Sequence, residues 1–180
     1  LLYECLTGEV PFCANNYLGI ISQVLTHAPT PPSKLRPALG IFAIALSVRL
    51  VHEWQLRASP YFSVLMGDSR GYDEWAQRIA RGDWIGSEVF YQAPLYPYFL
   101  ATVYSTLGAG PLAVRIVQAT LGAGACVLLA VAGRRFFSRA VGLGAGALLA
   151  LYGPLLFPTA ILQKTVLDIF LTTAFLACLG

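Results

Sequence analysis

Between Met66 and Tyr98 the chain reads MGDSRGYDEWAQRIARGDWIGSEVFYQAPLYPY, a polar, aromatic-rich insert between apolar segments. It holds Asp68, Asp73, Glu74, Asp83 and Glu88, more than half of the nine acidic residues in the 180-residue chain. Helical packing alone does not require carboxylates gathered in one loop, whereas binding or proton transfer does. Asp68 stands where a helix would start, and two roles are open to it. As an N-cap it would accept a backbone N–H, worth about 1 kcal/mol. As a general base or metal ligand it would be held in place by the rigid helix behind it.

The element that must position it is legible from spacing. Tyr72, Trp75, Ala76 and Ile79 recur at i, i+3, i+4 and i+7, which predicts a helix over residues 69–81 with Asp73, Gln77 and Arg81 on the opposite face. An amphipathic helix of this kind would lie along a membrane surface with its aromatic side down. The aromatics Phe90, Tyr91, Tyr96, Tyr98 and Phe99 read as an interfacial belt, with sugar stacking as the alternative. His27 and His52 are too far apart in sequence and environment to suggest a metal pair. Cys5, Cys13, Cys126 and Cys178 show no metal-ligand spacing, and no disulfide framework is expected of them.

Composition sets the surroundings. With 57% hydrophobic and 12% charged residues and a mean hydropathy of +0.65, the chain is too apolar for a soluble domain, where about a quarter of residues are charged. It reads as an integral membrane protein. Its net charge is +3, and the basic residues sit at the ends of apolar runs, as topology signals do, so no nucleic-acid partner is implied. The chain opens on Leu and closes inside an apolar run at Gly180, which suggests a fragment of a longer protein.

Ala38 to Trp54 is just long enough to cross a hydrocarbon core of about 30 Å. Arg49 within it should face a protein partner or snorkel toward an interface, the second being the favoured reading, and Lys34 and Arg36 before it place the N-terminus in the cytoplasm. Leu112 to Gly133, Val141 to about Pro158, and Thr165 onward are three further spans, giving about four in all. Ala93 to Gly110 is ambiguous, because Pro94, Pro97 and its tyrosines give it an interfacial composition. If it crossed, the basic cluster RRFFSR, residues 134–139, would share a side with the acidic loop, against the positive-inside rule. The expected arrangement is therefore re-entrant or interfacial, with RRFFSR cytoplasmic and the acidic loop, about residues 57–110, on the outer face. Gly122, Gly124, Gly142, Gly144 and Gly146 supply small faces for close helix packing.

Residues 1–37 differ in character and predict a short helix ending at Gly8, then a helix from about Asn15, which can cap it, to His27. Tyr17, Leu18, Ile21, Val24 and Leu25 form its apolar face. LLYECLTGEVPF resembles the C-terminal lobe of bacterial serine/threonine protein kinases, and residues 1–37 read as the tail of a rearranged or chimeric reading frame, with a genuine cytoplasmic appendage as the alternative. The chain has no Gly-rich phosphate loop, strand lysine, HRD loop or DFG ligand, so this segment alone cannot phosphorylate anything. A serine/threonine kinase fragment and a non-catalytic membrane scaffold are the rival readings of the chain.

Residues 38–180 resemble the N-terminal part of membrane glycosyltransferases of the GT-C fold, in particular the protein O-mannosyltransferase (family 39-type) and aminoarabinose transferase-like families. The motifs that carry it are GDSRGYDEWA soon after the first span, a GDW turn, QAPLYPYF, Arg115 in AVRIVQATLGA, GRRFFSR, and ILQKTVLD. The resemblance implies an all-α polytopic helix bundle in the bacterial inner (plasma) membrane. It also implies an inverting transfer of a sugar from a polyprenyl-phosphate donor in the membrane lipid to an acceptor on the outer face. Asp68 matches the base that activates the acceptor, and Arg115 and Lys164 are the cations nearest to hand for the phosphate leaving group. Two departures stand out. Ser69 follows Asp68 where the mannosyltransferases carry an Asp-Glu pair, so a second carboxylate, and with it any divalent metal, would have to come from Asp73 or elsewhere. Gln92 stands where a basic residue often precedes the Pro motif, and Asp168 matches an acidic residue of the later outer turn, where it would act on substrate, orient Lys164 or cap the next helix. The parent protein is expected to be the enzyme, and this stretch alone to be inactive.

Overall fold

The computed structural model describes residues 12–14, 16–26, 36–59, 62, 64–85, 92–108 and 110–180. Among them the chain forms eight helices and no strand: α1 (Tyr17–Thr26), α2 (Arg36–Leu56), α3 (Asp68–Ala80), α4 (Leu95–Leu107), α5 (Pro111–Phe136), α6 (Arg139–Leu151), α7 (Gly153–Ala160) and α8 (Thr165–Leu179). Most of the kinase-like segment lies outside the described residues, as do Cys5, Asn15, His27, Lys34, Glu88, Phe90 and Tyr91. At the start of α1 it is the Asn16 side chain that accepts the Gly19 N–H, at 2.7 Å, and the apolar face expected there is exposed from Tyr17 to Leu25.

Helix α5 is the axis of the molecule. Pro111 at its first turn needs no hydrogen-bond partner for a missing N–H, and Arg134 and Arg135 in its last turn oppose the negative end of the helix dipole. Its 26 residues extend roughly 39 Å, beyond the roughly 30 Å of a hydrocarbon core. It is buried on nearly every side from Val114 to Gly133 and packs against α2, α4, α6, α7 and α8. A helix apolar all round belongs in an interior, which is where α5 lies.

Two helices, Pro37–Leu56 and Pro111–Phe136, are long and apolar enough to cross a membrane. A third counts if α6 and α7 are taken as one span bent by 54°. The segment read as a continuous span from Val141 to Pro158 is broken at Tyr152, where Gly153 and Pro154 start a new helix. Helix α4 has 13 residues, about 20 Å of rise, too short to span.

Two sequence expectations are corrected. Arg49 does not snorkel: it is 2% exposed and faces α5, its Nη1 donating to the Ala45 carbonyl at 3.0 Å and its Nη2 reaching Cys126 Sγ at 3.7 Å. A guanidinium in an apolar interior costs about 2.5–3.5 kcal/mol on insertion scales, and a protein partner offsets that better than lipid does. The apolar face of α3 does not lie on a membrane either. Tyr72, Ala76 and Ile79 are buried against Tyr96, Leu100, Val103 and Tyr104 of α4. A neighbouring helix removes that face from water as well as a bilayer would.

The bundle has two chemically distinct ends. At one, α3 and α4 share a core with Val114 and with Leu162, in the turn after α7. At the other, Ile41 packs with Ala130, Val131 and Ala177, Arg135 Nη1 donates to the Ala177 carbonyl, and the basic cluster lies at the end of α5. The carboxylates of α3 and the arginines of RRFFSR therefore sit at opposite ends of α5.

Glycines set the helix spacing at the second end. A Cβ on Gly142 would run into the Ala130 carbonyl oxygen and the Arg134 backbone, and one on Gly146 would meet the Cys126 oxygen at 2.7 Å. Gly122 makes room for the Arg49 guanidinium, 2.5 Å from where its Cβ would stand. Gly144 faces open space. Thermal denaturation of the purified protein should therefore show Gly142→Ala destabilised by roughly 1–3 kcal/mol, the cost of overpacking a tight contact. Gly144→Ala should be neutral or slightly stabilising, because alanine is the better helix former.

Candidate functional site

Asp68 is the first residue of α3, and it is exposed. It is not the N-cap: Gly67 holds that place at φ 56°, with no side-chain hydrogen bond from the cap residue. Gln92 fixes the carboxylate instead, Nε2 donating to Asp68 Oδ1 at 3.0 Å from 24 residues away in sequence. The Gln92 amide rests over Gly71, whose added Cβ would stand 3.1 Å from Gln92 Oε1. One amide thus bridges the first turn of α3 and the start of α4, and the second Asp68 oxygen has no partner among the described residues.

Beneath Asp68 lies Tyr72, one turn along α3, its ring edge-on to Tyr96 at 4.9 Å. Burial first, then the fields of Asp68 and Asp168, push the Tyr72 hydroxyl above the usual phenol range. Asp168 stands in the first turn of α8, exposed like Lys164 before it. The fold therefore brings the start of α3 and the start of α8 to one face, although they are about 100 residues apart in the chain. Asp168 and Lys164 are joined through their backbones, the Asp168 N–H donating to the Lys164 carbonyl at 3.0 Å. Beside them a cleft of about 180 Å³ runs between the stretch before α3 and the turn after α7, lined by Val64, Leu65, Met66, Ser69, Phe157 and Gln163.

Arg115 is 1% exposed, and two of its nitrogens, Nε and Nη2, hold backbone carbonyls. Nε donates to the Ala160 carbonyl at 2.8 Å, Nη2 to the Phe62 carbonyl at 2.7 Å, and the guanidinium lies 3.8 Å above the Phe62 ring. One turn on, Gln118 Nε2 donates to the carbonyls of Thr159 and Ile161 at 3.0 and 2.9 Å, while its oxygen accepts from the Tyr96 hydroxyl. These contacts hold the stretches of chain on both sides of the cleft.

Asp73 lies on the same helix as Asp68 but is spoken for. It accepts from the Tyr104 hydroxyl at 2.5 Å and from Gln77 Nε2 at 2.9 Å, pinning α3 to α4. Glu74 pairs with Arg70 at 2.7 Å on the exposed side of α3. Among the described residues no three of His, Cys, Asp and Glu come together as a metal site, and Asp68 with Asp73 does not fit a shared divalent ion.

The arrangement offers one reachable carboxylate held by an amide, an exposed lysine just before α8, and an apolar cleft lined by their chain neighbours Ser69 and Gln163. Gly71, Phe62 and Tyr104 are not singled out by sequence spacing. A glycine one turn after the acidic residue, Gly71, is the single signal that points toward the Gln92 seat. The chain is all-helical among its described residues, with two or three helices fit to cross a membrane. No family model, curated protein or solved structure matches it.

Burial, followed by the Asp73 hydrogen bond and charge, pushes the Tyr104 hydroxyl well above the phenol range, and burial does the same to Tyr96. A raised folded pKa means the folded state holds the proton more tightly. That stability is complete below the unfolded phenol value of about 10 and is lost as pH rises past it. Helicity and melting temperature measured from pH 8 to pH 11.5 should fall at the alkaline end. Tyr104→Phe should cost roughly 1.5–3 kcal/mol at neutral pH, the worth of a hydrogen bond to a charged group, and should show a shallower alkaline loss.

Proposed function

We propose that residues 38–180 form the N-terminal membrane portion of a glycosyltransferase that moves a sugar from a polyprenyl-phosphate donor to an acceptor at the outer face of the membrane. The observation that carries the proposal is the exposed Asp68 carboxylate, held by Gln92 at 3.0 Å at the end of the bundle opposite the RRFFSR arginines. With the basic end of α5 in the cytoplasm, as the positive-inside rule requires, Asp68 faces the outer leaflet. In that orientation the bent α6–α7 pair returns the chain to the outer side as a third crossing, and the apolar α8, 15 residues long, would run back toward the cytoplasm as the fourth.

The chemistry follows from the groups present. Asp68 accepts the proton of the acceptor hydroxyl or amine as its oxygen or nitrogen attacks the anomeric carbon. The bond from that carbon to the phosphate oxygen breaks, the electron pair leaves with the polyprenyl phosphate, and the anomeric centre inverts. Gln92 holds the carboxylate in register for that transfer, a geometric service that keeps the base within hydrogen-bond reach. Lys164, exposed at the start of α8, is the cation for the departing phosphate. The apolar cleft lined by Val64, Met66 and Phe157 suits the first isoprene units of the donor. Arg115, buried with Nε and Nη2 on backbone carbonyls, is a positioning residue that ties both walls of the cleft together.

In membranes carrying the protein in its full reading frame, Asp68→Asn should lower transfer from a polyprenyl-phosphate sugar by about 10²–10⁴-fold, the usual contribution of a positioned general base. Gln92→Ala should give a smaller loss in kcat with little change in KM for the donor. Unchanged transfer in Asp68→Asn would remove the base assignment, and labelling that placed positions 68 and 134 on one side of the bilayer would remove the orientation.

A further inference from the structure

A second cavity lies at the far end of α3. The helix rises about 1.5 Å per residue, so its 13 residues carry the chain roughly 18 Å from Asp68 to Ala80. There Gly82, at φ 103°, reverses the chain in a backbone region that side chains rarely adopt, and Trp84 is carried back toward α4. The Tyr98 hydroxyl donates to the Trp84 carbonyl, and the two rings stand 6.3 Å apart, tilted by 33°. The space they flank is about 390 Å³, within the range of roughly 300–1,000 Å³ typical of small-ligand sites.

Its lining restricts what can fill it. Trp84, 63% exposed, offers a broad apolar ring, and Ile79 adds to the apolar wall. Thr102, Ser105 and Thr106 of α4 line the same space as a row of exposed hydroxyls. Each of the three donates its proton to a carbonyl of its own helix: Thr102 to Tyr98 at 2.9 Å, Ser105 to Ala101 at 2.8 Å, and Thr106 to Thr102 at 2.9 Å. Their oxygens are left to accept. Among the described residues no Asp, Glu, Lys, Arg or His lines the cavity, so an ionic ligand finds no counter-charge there. An acyl chain would strip water from three acceptors and return nothing, at a cost of about 1–3 kcal/mol for each. A neutral ligand with one apolar face and a rim of hydroxyl donors meets both walls, and a pyranose ring has that shape: C–H groups on its face for the indole, O–H groups on its edge for the α4 row.

We propose that this cavity is a saccharide-binding site, separate from the Asp68 site, with Trp84 as the stacking platform and Thr102, Ser105 and Thr106 as acceptors for sugar hydroxyls. It shares no residue with the Asp68 cluster and does not rest on the transferase reading. A free sugar and the headgroup of a glycolipid carry the same ring, and the experiment separates them.

Saturation-transfer difference NMR on the full chain in phosphatidylcholine nanodiscs, with methyl α-D-mannopyranoside, methyl β-D-glucopyranoside and N-acetylglucosamine as soluble probes, tests the assignment. At least one should bind saturably. Trp84→Ala should weaken that binding tenfold or more, Trp84→Phe should restore most of it, and the double change Thr102→Val with Ser105→Ala should weaken it several-fold. Asp68→Asn should leave it in place, which keeps this test independent of the transfer assay. A glycolipid source would show as tighter, Trp84-dependent binding of a dodecyl glycoside than of the methyl glycoside. Absence of saturable binding for every methyl and dodecyl glycoside would overturn the proposal. So would equal binding in wild type and in a folded Trp84→Ala, or transfer to acyl protons with none to sugar. Should Trp84→Ala fail to fold, the Thr102→Val/Ser105→Ala variant decides between the same two outcomes: weakened binding supports the site, and unchanged binding overturns it.

Discussion

The constraint on which the molecule turns is the supply of hydrogen-bond donors to carbonyls stranded at a helix end. Helix α7 stops at Ala160, and the last carbonyls of any helix lack intrahelical partners. Away from water such groups must be paired. Arg115 and Gln118 do this from α5, reaching Ala160, Thr159 and Ile161. The same guanidinium also takes the Phe62 carbonyl and covers the Phe62 ring, so the chain leading to Asp68 and the chain leading to Lys164 meet on one buried side chain. Lysine could not replace it, because a single ammonium lacks the planar fork that serves two carbonyls and a ring at once.

From that junction the two aspartates of α3 diverge in use. Asp73 is enclosed by Tyr104 and Gln77 and works as a bolt between α3 and α4. Asp68, one turn and a residue earlier, meets only Gln92 among the described residues and remains exposed. A carboxylate whose acceptors are filled by protein donors has little capacity left for substrate, whereas one held at a single oxygen is oriented without being consumed. Packing on α4 is what makes this division possible, since the Tyr72–Ala76–Ile79 face anchors the helix and leaves its first turn free to present Asp68.

Much of this is legible in the residues themselves. The period of Tyr72, Trp75, Ala76 and Ile79 locates α3 to within a residue at each end, because a single apolar stripe constrains a helix strongly. The glycines of α5 and α6 are recognisable as close-packing positions, and Gly142 and Gly146 serve as such, while Gly144 does not, since a G-x-G-x-G run cannot turn every glycine to one side. The partner of the α3 stripe is not legible: periodicity reveals a face that must be covered and is silent on what covers it. Arg49 escapes sequence reasoning on the same ground, because only the fold shows that Gly122 leaves a guanidinium-sized gap across from it. The break at Tyr152 is signalled by Gly153, Pro154 and Pro158, but a run of apolar residues outweighs them in a count of hydropathy. Gln92 meeting Asp68 and Tyr104 meeting Asp73 are long-range pairs that no local pattern encodes.

Helix α5 reconciles two demands that ordinarily conflict, tight packing and the burial of polar side chains, by separating them along its length. Toward its N-terminus Arg115 and Gln118 satisfy irregular chain at the end of the bundle where chemistry is proposed. Toward its C-terminus it turns to small residues, and there Gly133 approaches Gly142 so closely that an added Cβ would stand 2.9 Å from the facing Cα. Where the two regimes meet, on α2, Arg49 and Glu53 are both buried, Arg49 facing Gly122 and Cys126 and Glu53 within electrostatic reach of Arg115. The cations near Glu53 are Arg115 on α5 and Arg57 after α2, and Arg49 reaches Cys126 on α5, so both buried side chains of α2 turn toward α5. A helix rotated by one residue would strand Arg49 against Cα–Cβ bonds instead of the Gly122 gap, so the polar seam specifies one register in a bundle whose apolar faces alone would tolerate several.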